Sequence, residues 1–218
     1  TAYEIVSRDW SSDVCSSDLE LCKKFDIKNL TIDLTPILES YHIYETRDKI
    51  IKKNFTKFDE FCRYRVIVAN DLLHKGGISM PYLEVLDSDK SIHKIKIPYQ
   101  DYLSLTAATN IKHRTRMTML YYYGEQNHFL VAGTTNKSET VQGYFVKYGD
   151  GGTDIEPIAN LYKTQVFQLA KHLGIPNRII QRKPSPDTWS FPVSDEDFFY
   201  RSEEHTSELQ SRETISYA

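Results

Sequence analysis

An apolar run at residues 128–132 (HFLVA) stops at Gly133, and a polar turn that opens a helix follows at once. A short apolar stretch closed by glycine reads as a buried strand. Strand, tight turn and helix in that order form the repeating unit of α/β layers. The same economy returns further along. Residues 148–154 are glycine-rich, and residues 160–173 then place Leu161, Val166, Leu169, Ala170 and Leu173 on one helical face. Gly174 and Pro176 stop that helix.

The rest of the chain fits the same class. Residues 20–25 read as the end of a helix. Residues 29–34 (NLTIDL) alternate and carry β-branched residues, so they predict a strand. Thr35-Pro36 starts a helix, because proline is pre-organised for the first turn. Residues 111–123 predict a helix, with Met117, Leu120 and Tyr121 at helical spacing. Ser138 is a candidate N-cap for a helix over 138–145. Residues 41–109 are less legible: RVIVANDLL reads as strand or helix, HKIKI as a short strand, and Gly76-Gly77 and Pro81 as turns. The expected fold is α/β, Rossmann-like, a mostly parallel sheet with flanking helices, truncated at both ends.

Both ends stand apart. Residues 9–19 (DWSSDVCSSDL) and 201–211 (RSEEHTSELQS) lack helical or strand periodicity and read as linker. One stretch of DNA, translated from its two strands, encodes both peptides, and that DNA resembles a sequencing-library adapter. Segments of that origin are not expected to belong to the native domain. The credible domain is then residues 20–200, about 180 residues, enough for one domain. The first strand is expected to be missing, and native sequence is expected beyond both limits.

Composition narrows the function classes. A net charge of −3 supplies no basic footprint for nucleic acid. No apolar run is long enough to span a bilayer. Fifteen tyrosines favour a packed domain over a disordered chain. Cys15 lies in the adapter-like segment. Cys22 and Cys62 lack metal-ligand spacing and read as reduced thiols of a cytoplasmic protein. His42, His74 and His93 are scattered singly and read as solvated or core residues.

Three constellations carry chemistry. In GTTNKSE, residues 133–139, Thr134 offers a hydroxyl at the carboxyl edge of the expected strand, where α/β sheets bind ligands. Glu139 offers a carboxylate suited to a Mg²⁺ shared with phosphate. The same seven residues also read as an ordinary turn with a capping glutamate. In KYGDGGTD, residues 147–154, the glycines permit close backbone approach. Lys147 is a point charge for phosphate or carboxylate. Asp154 can accept from ribose hydroxyls or an amine; Asp150 shares the loop. In NIKHRTR, residues 110–116, Lys112, Arg114 and Arg116 alternate and cannot all face one ligand. Lys163 lies early in its helix, off the apolar face, within reach of a phosphate at the helix N-terminus. Ser185, in KPSPD, is a loop hydroxyl with no signal of its own.

In this order and at this spacing, NIKHRTRM, GTTNKSE, GYFVKYGDGGTDIEPIANLYKTQV, LGIP and KPSPD resemble the NAD synthetases, over about 80 residues. IDLTP near the start is similar to that family's second strand. The resemblance implies a ligase that makes NAD from deamido-NAD, ATP and ammonia through an adenylated nicotinate. It implies ATP contacts at Thr134, Lys163 and Ser185, a magnesium ligand at Glu139, and deamido-NAD contacts at Arg114, Lys147 and Asp154. It also implies a homodimer. No side-chain nucleophile is needed, because ATP activates the carboxylate.

Departures from the family are as informative. The SGGxDS loop that cradles the ATP pyrophosphate has no counterpart in this sequence, and neither has the C-terminal His-Lys pair. Residues 41–109 exceed the corresponding stretch of compact members and read as an insertion. The 218 residues alone are therefore expected to make no NAD. Three alternatives stand beside this reading. The chain could be a non-catalytic nucleotide-binding or dimerisation module, which native sequence ahead of Glu20 would discriminate. It could belong to a glutamine-fed synthetase with an upstream glutaminase domain. It could be another enzyme of the same ATP-pyrophosphatase fold, such as a GMP synthetase, which GTTNKSE and KYGDGGTD suit less well.

Overall fold

The computed structural model describes residues 3–8, 12–69, 80–181 and 190. The chain forms two compact units. The described residues of the first fall within Thr1–Tyr44 and Ala108–Arg182, those of the second within Glu45–Ala107 and Lys183–Ala218.

In the first unit, β1 (Tyr3–Arg8) pairs in parallel with β2 (Lys28–Asp33), in register from Tyr3↔Lys28 to Arg8↔Asp33. Parallel strands need a crossover, and helix α1 (Ser12–Lys24) supplies it. Two expectations change here. A first strand is present ahead of α1. The serine-rich run is helical from Ser12, because serine is only mildly unfavourable in a helix and the helix that ends at Lys24 extends back through it. Cys22 on this helix is buried.

After β2, α2 (Thr35–Ser40) starts as predicted, with proline in its first turn. Leu34, Leu38 and Ile43 form a small core, packed by Ile32, Ile37, Tyr44, Ala108, Ile111 and Met119. The last three come from α4 (Tyr99–Asn127), a helix of 29 residues that is longer at both ends than the periodicity indicates. Helix α3 (Ile43–Asn54) follows α2.

The second unit holds an antiparallel meander of β3 (Arg63–Ala69), β4 (Met80–Leu86) and β5 (Ile92–Lys96), in the order β3-β4-β5. The α/β class stands, but within the described residues parallel strand pairing is confined to β1 and β2 and to one bridge, Ala132↔Ile155. The ambiguous run at 63–69 becomes a strand because β4 pairs along its whole length. Pro81 sits inside β4 rather than at a turn, one residue from the strand's start, where the missing N–H is tolerated. Leu83 and Val85 are fully buried. With Ile51, Cys62, Tyr64, Val66, Ile97 and Leu105 they make the larger core. Asp101, itself buried, accepts from Lys53 Nζ at 3.0 Å and from Asn54 Nδ2 at 2.9 Å. The limits of this unit's first stretch, Glu45–Ala107, fall within a few residues of segment 41–109.

Among the described residues no helix is long and apolar enough to cross a membrane.

Candidate functional site

The site is built in the first unit, on three segments that glycines and caps hold in place. Residues 128–132 do not form an extended strand. Backbone bonds bring Val131 and Gly133 against the glycine-rich loop: Asp154 N donates to Val131 O at 3.0 Å and Gly133 N donates to Ile155 O at 2.7 Å. With a partner only at this end, the apolar run pairs through one bridge, and Leu130 stays 69% exposed. Gly133 is required by contact. A Cβ there would lie 2.5 Å from Thr153 Oγ1 and 3.1 Å from Thr153 Cβ.

Thr134 is exposed on the turn that follows, ahead of the buried Thr135 and Asn136. Helix α5 (Lys137–Gln142) is capped by Asn136, not Ser138. Asn136 Oδ1 accepts from Glu139 N and Glu139 Oε2 accepts from Asn136 N, both at 3.1 Å. This is a reciprocal capping box. Ser138 is used elsewhere: its Oγ accepts from Lys163 N at 3.2 Å, tying α5 to the start of α6 (Lys163–His172). Lys137 N donates to Leu161 O at 2.9 Å and strengthens the same junction.

The junction places Lys163 Nζ 3.6 Å from Glu139 Oε1, with both side chains about one-quarter exposed. One carboxylate oxygen is thus committed to the cap, and the other faces a cation. Among the described residues no cluster of three or more His, Cys, Asp or Glu could hold a metal. A lone carboxylate still fits Mg²⁺, which is commonly held by one or two carboxylates together with substrate phosphates. Glu139 carries a carboxylate of that kind, with Oε1 towards Lys163.

Helix α4 fixes the glycine-rich loop from its other side. Arg114 Nε donates to Lys147 O at 3.1 Å. His113 Nδ1 lies 3.8 Å from Asp150 Oδ1, and that carboxylate accepts from Val146 N at 2.9 Å. Gly149 lets α4 approach: a Cβ there would lie 2.9 Å from His113 Cβ. The Lys147 ammonium lies 4.9 Å from the centre of the exposed Tyr148 ring. Asp154 accepts from Tyr121 Oη at 3.0 Å and from Val131 N at 2.8 Å. Burial pushes the Tyr121 hydroxyl above its ordinary range, and the Asp154 carboxylate adds to that.

The structure therefore brings Lys163 to Glu139 and Arg114 to the backbone of Lys147, while Thr134 stands on the turn ahead of α5, Asp150 lies near His113, and Asp154 meets Tyr121 and Val131. Ser185 lies outside the described residues. His113 and Tyr121 were not legible as site residues, because each meets its loop partner more than thirty positions away in sequence. The apolar face expected on α6 is only partly covered, with Leu169 and Leu173 exposed.

Fold and charged groups together define an α/β protein with a Lys163–Glu139 pair at a helix junction and a charged, glycine-rich loop at residues 147–154. The comparisons narrow it. A family model described as NAD synthase matches residues 68–202, and the chain belongs to that family. An NH(3)-dependent NAD(+) synthetase of Rhizobium meliloti (strain 1021) is 37% identical over 180 residues, covering 83% of this chain and 54% of the relative. Among solved structures, NMN synthetase from Francisella tularensis superimposes with a TM-score of 0.63 at 25% identity, covering 96% of this chain and 65% of that one. The NH3-dependent NAD synthetase from Campylobacter jejuni gives a TM-score of 0.50 at 22% identity over 83% of this chain and 55% of that one, which speaks to the fold alone. The chain spans about half the length of the first curated relatives it matches.

Proposed function

We propose that these residues form one wall of a carbon–nitrogen ligase that makes NAD from deamido-NAD, ATP and ammonia. The observation that carries this reading is the approach of Lys163 to Glu139 at the α5–α6 junction. A cation and a metal-binding carboxylate side by side suit a nucleotide triphosphate, whose charge must be neutralised while one phosphorus is attacked. Mg²⁺, when bound, supplies further neutralisation of the phosphate oxygens.

In this reading Thr134, Lys163 and Ser185 hold ATP, Glu139 contributes the ligand to Mg²⁺, and Arg114, Lys147 and Asp154 hold deamido-NAD. The nicotinate carboxylate attacks the α-phosphorus of ATP and expels pyrophosphate. Ammonia then adds to the carbonyl of the mixed anhydride and AMP leaves. No side chain is consumed, so the contribution of this chain is to hold the carboxylate and the α-phosphorus in line. Lys147, opposite in charge to the dinucleotide's phosphates, steers it towards the loop. The curated relatives are NH(3)-dependent NAD(+) synthetases, which supports ammonia as the nitrogen donor. By the same resemblance the protein is a cytoplasmic homodimer, the helix from Ile111 contributes to the dimer, and segment 41–109 is an insertion within the family.

The likeness to an NMN synthetase favours one second reading, in which the acid that is amidated is nicotinate mononucleotide. One assay separates the two. The full-length protein is incubated with ATP, Mg²⁺ and ammonium, with deamido-NAD in one arm and nicotinate mononucleotide in the other, and products are separated chromatographically. The proposal expects faster formation of NAD from the dinucleotide. Faster amidation of the mononucleotide supports the second reading, and no amide in either arm removes both. Replacing ammonium by glutamine in a third arm tests the nitrogen donor.

A further inference from the structure

Each oxygen of the Asp154 carboxylate already has a donor, and the two donors come from different segments. Oδ1 accepts from the Tyr121 hydroxyl on α4 at 3.0 Å and Oδ2 from Val131 N at 2.8 Å. The torsion that turns a carboxylate about its own axis is broad and soft. One donor leaves it free to rotate, whereas two donors on opposite oxygens fix the plane. Val131 closes a ring, since its carbonyl accepts from Asp154 N at 3.0 Å and Ile155 N at 3.3 Å, and Ile155 O then accepts from Gly133 N at 2.7 Å. The orientation of one carboxylate is thereby coupled to the backbone that leads into Thr134.

We propose that Tyr121 is a positioning residue: its hydroxyl fixes the plane of the Asp154 carboxylate so that the remaining lone pairs of both oxygens meet hydrogen-bond donors of the dinucleotide, its hydroxyls in particular. An ionised carboxylate has about four acceptor directions. Tyr121 and Val131 use two, and the exposed side of Asp154 keeps the others. This rests on the reading of Asp154 as a substrate contact.

The test is Tyr121→Phe in the full-length protein, which removes one oxygen and keeps the ring. The KM for deamido-NAD should rise about ten-fold, the loss of roughly one hydrogen bond to a charged group, while kcat and the KM for ATP stay within about two-fold, the signature of lost binding alone. In an Asp154→Ala background the same replacement should add less than about two-fold, because the group it orients is gone. Amide hydrogen exchange at Val131 is read in parallel, without any substrate, and should quicken about ten-fold as Asp154 swings off Val131 N. Unchanged exchange at Val131 overturns the proposal, as does an equal effect of Tyr121→Phe with and without Asp154, or an equal rise in both KM values. A wild-type protein that does not amidate deamido-NAD removes the functional reading instead, and the exchange measurement still decides the role of Tyr121.

Discussion

Lys163 Nζ lies 3.6 Å from Oε1 of Glu139, while Oε2 of the same carboxylate accepts from the backbone N–H of Asn136. Glu139 therefore has two separable duties, capping α5 and facing a cation. Glu139→Gln keeps an acceptor for Asn136 N and removes the charge. It should leave thermal stability within about 0.5 kcal/mol and lower Mg²⁺-dependent kcat/KM on the order of 100-fold. Glu139→Ala should abolish that turnover and also cost about 1 kcal/mol from the lost cap. Steady-state kinetics across a magnesium titration, with a thermal melt on each variant, reads both effects. Full activity in Glu139→Gln removes the metal assignment.

Gly133 and Thr153 touch where the turn leaves residue 132. Gly133→Ala should press its methyl on Thr153, shift the Gly133–Ile155 bond and cost about 1–3 kcal/mol, as overpacking does. Thr153→Ala removes two of the three crowding atoms, and its hydroxyl is buried without a hydrogen-bond partner. The double variant should thus recover more than half of the loss. Denaturant unfolding of the four proteins gives the coupling. Strict additivity contradicts the contact.

Burial raises the Asp101 carboxyl, but hydrogen bonds from Asn54 and Lys53, with the charge of Lys53, outweigh that and leave it below its ordinary range. A depressed carboxylate stabilises the fold above its unfolded pKa, and that contribution is lost as pH falls through the folded value. Stability of the second unit should therefore fall from about pH 4 downward. Asp101→Asn should cost about 1–2 kcal/mol at pH 7, at the low end because Lys53 is 61% exposed and its charge is screened. The two unfolding curves should converge in acid. A constant offset at every pH contradicts this account.

Local chemistry was legible where a local rule decides. Pro36 opens α2, and Gly174, at φ +70°, follows the end of α6. The cap of α5 was misplaced by two residues, although the signal was present: Asn136 followed three positions later by Glu139 is the capping-box spacing. What escaped the sequence needs a distant partner. The run at 63–69 becomes a strand only because β4 lies along it. Residues 128–132 look equally strand-like and make a single bridge. In the site, residue types and spacing pointed to Glu139, Lys163, Lys147 and Asp154 one at a time. That Glu139 meets Lys163, and that Tyr121 holds Asp154, are facts of packing that no periodicity encodes.

In the proposed function this site activates a nicotinate carboxylate at the α-phosphorus of ATP. That step is tested most directly by isotope transfer in the full-length protein. Deamido-NAD carrying ¹⁸O in its carboxylate is turned over with ATP, Mg²⁺ and ammonium, and the nucleotide products are analysed by mass spectrometry. Adenylation predicts one carboxylate oxygen in the phosphate of the released AMP and none in pyrophosphate. Label appearing in inorganic phosphate, or AMP released without label alongside NAD, contradicts the account.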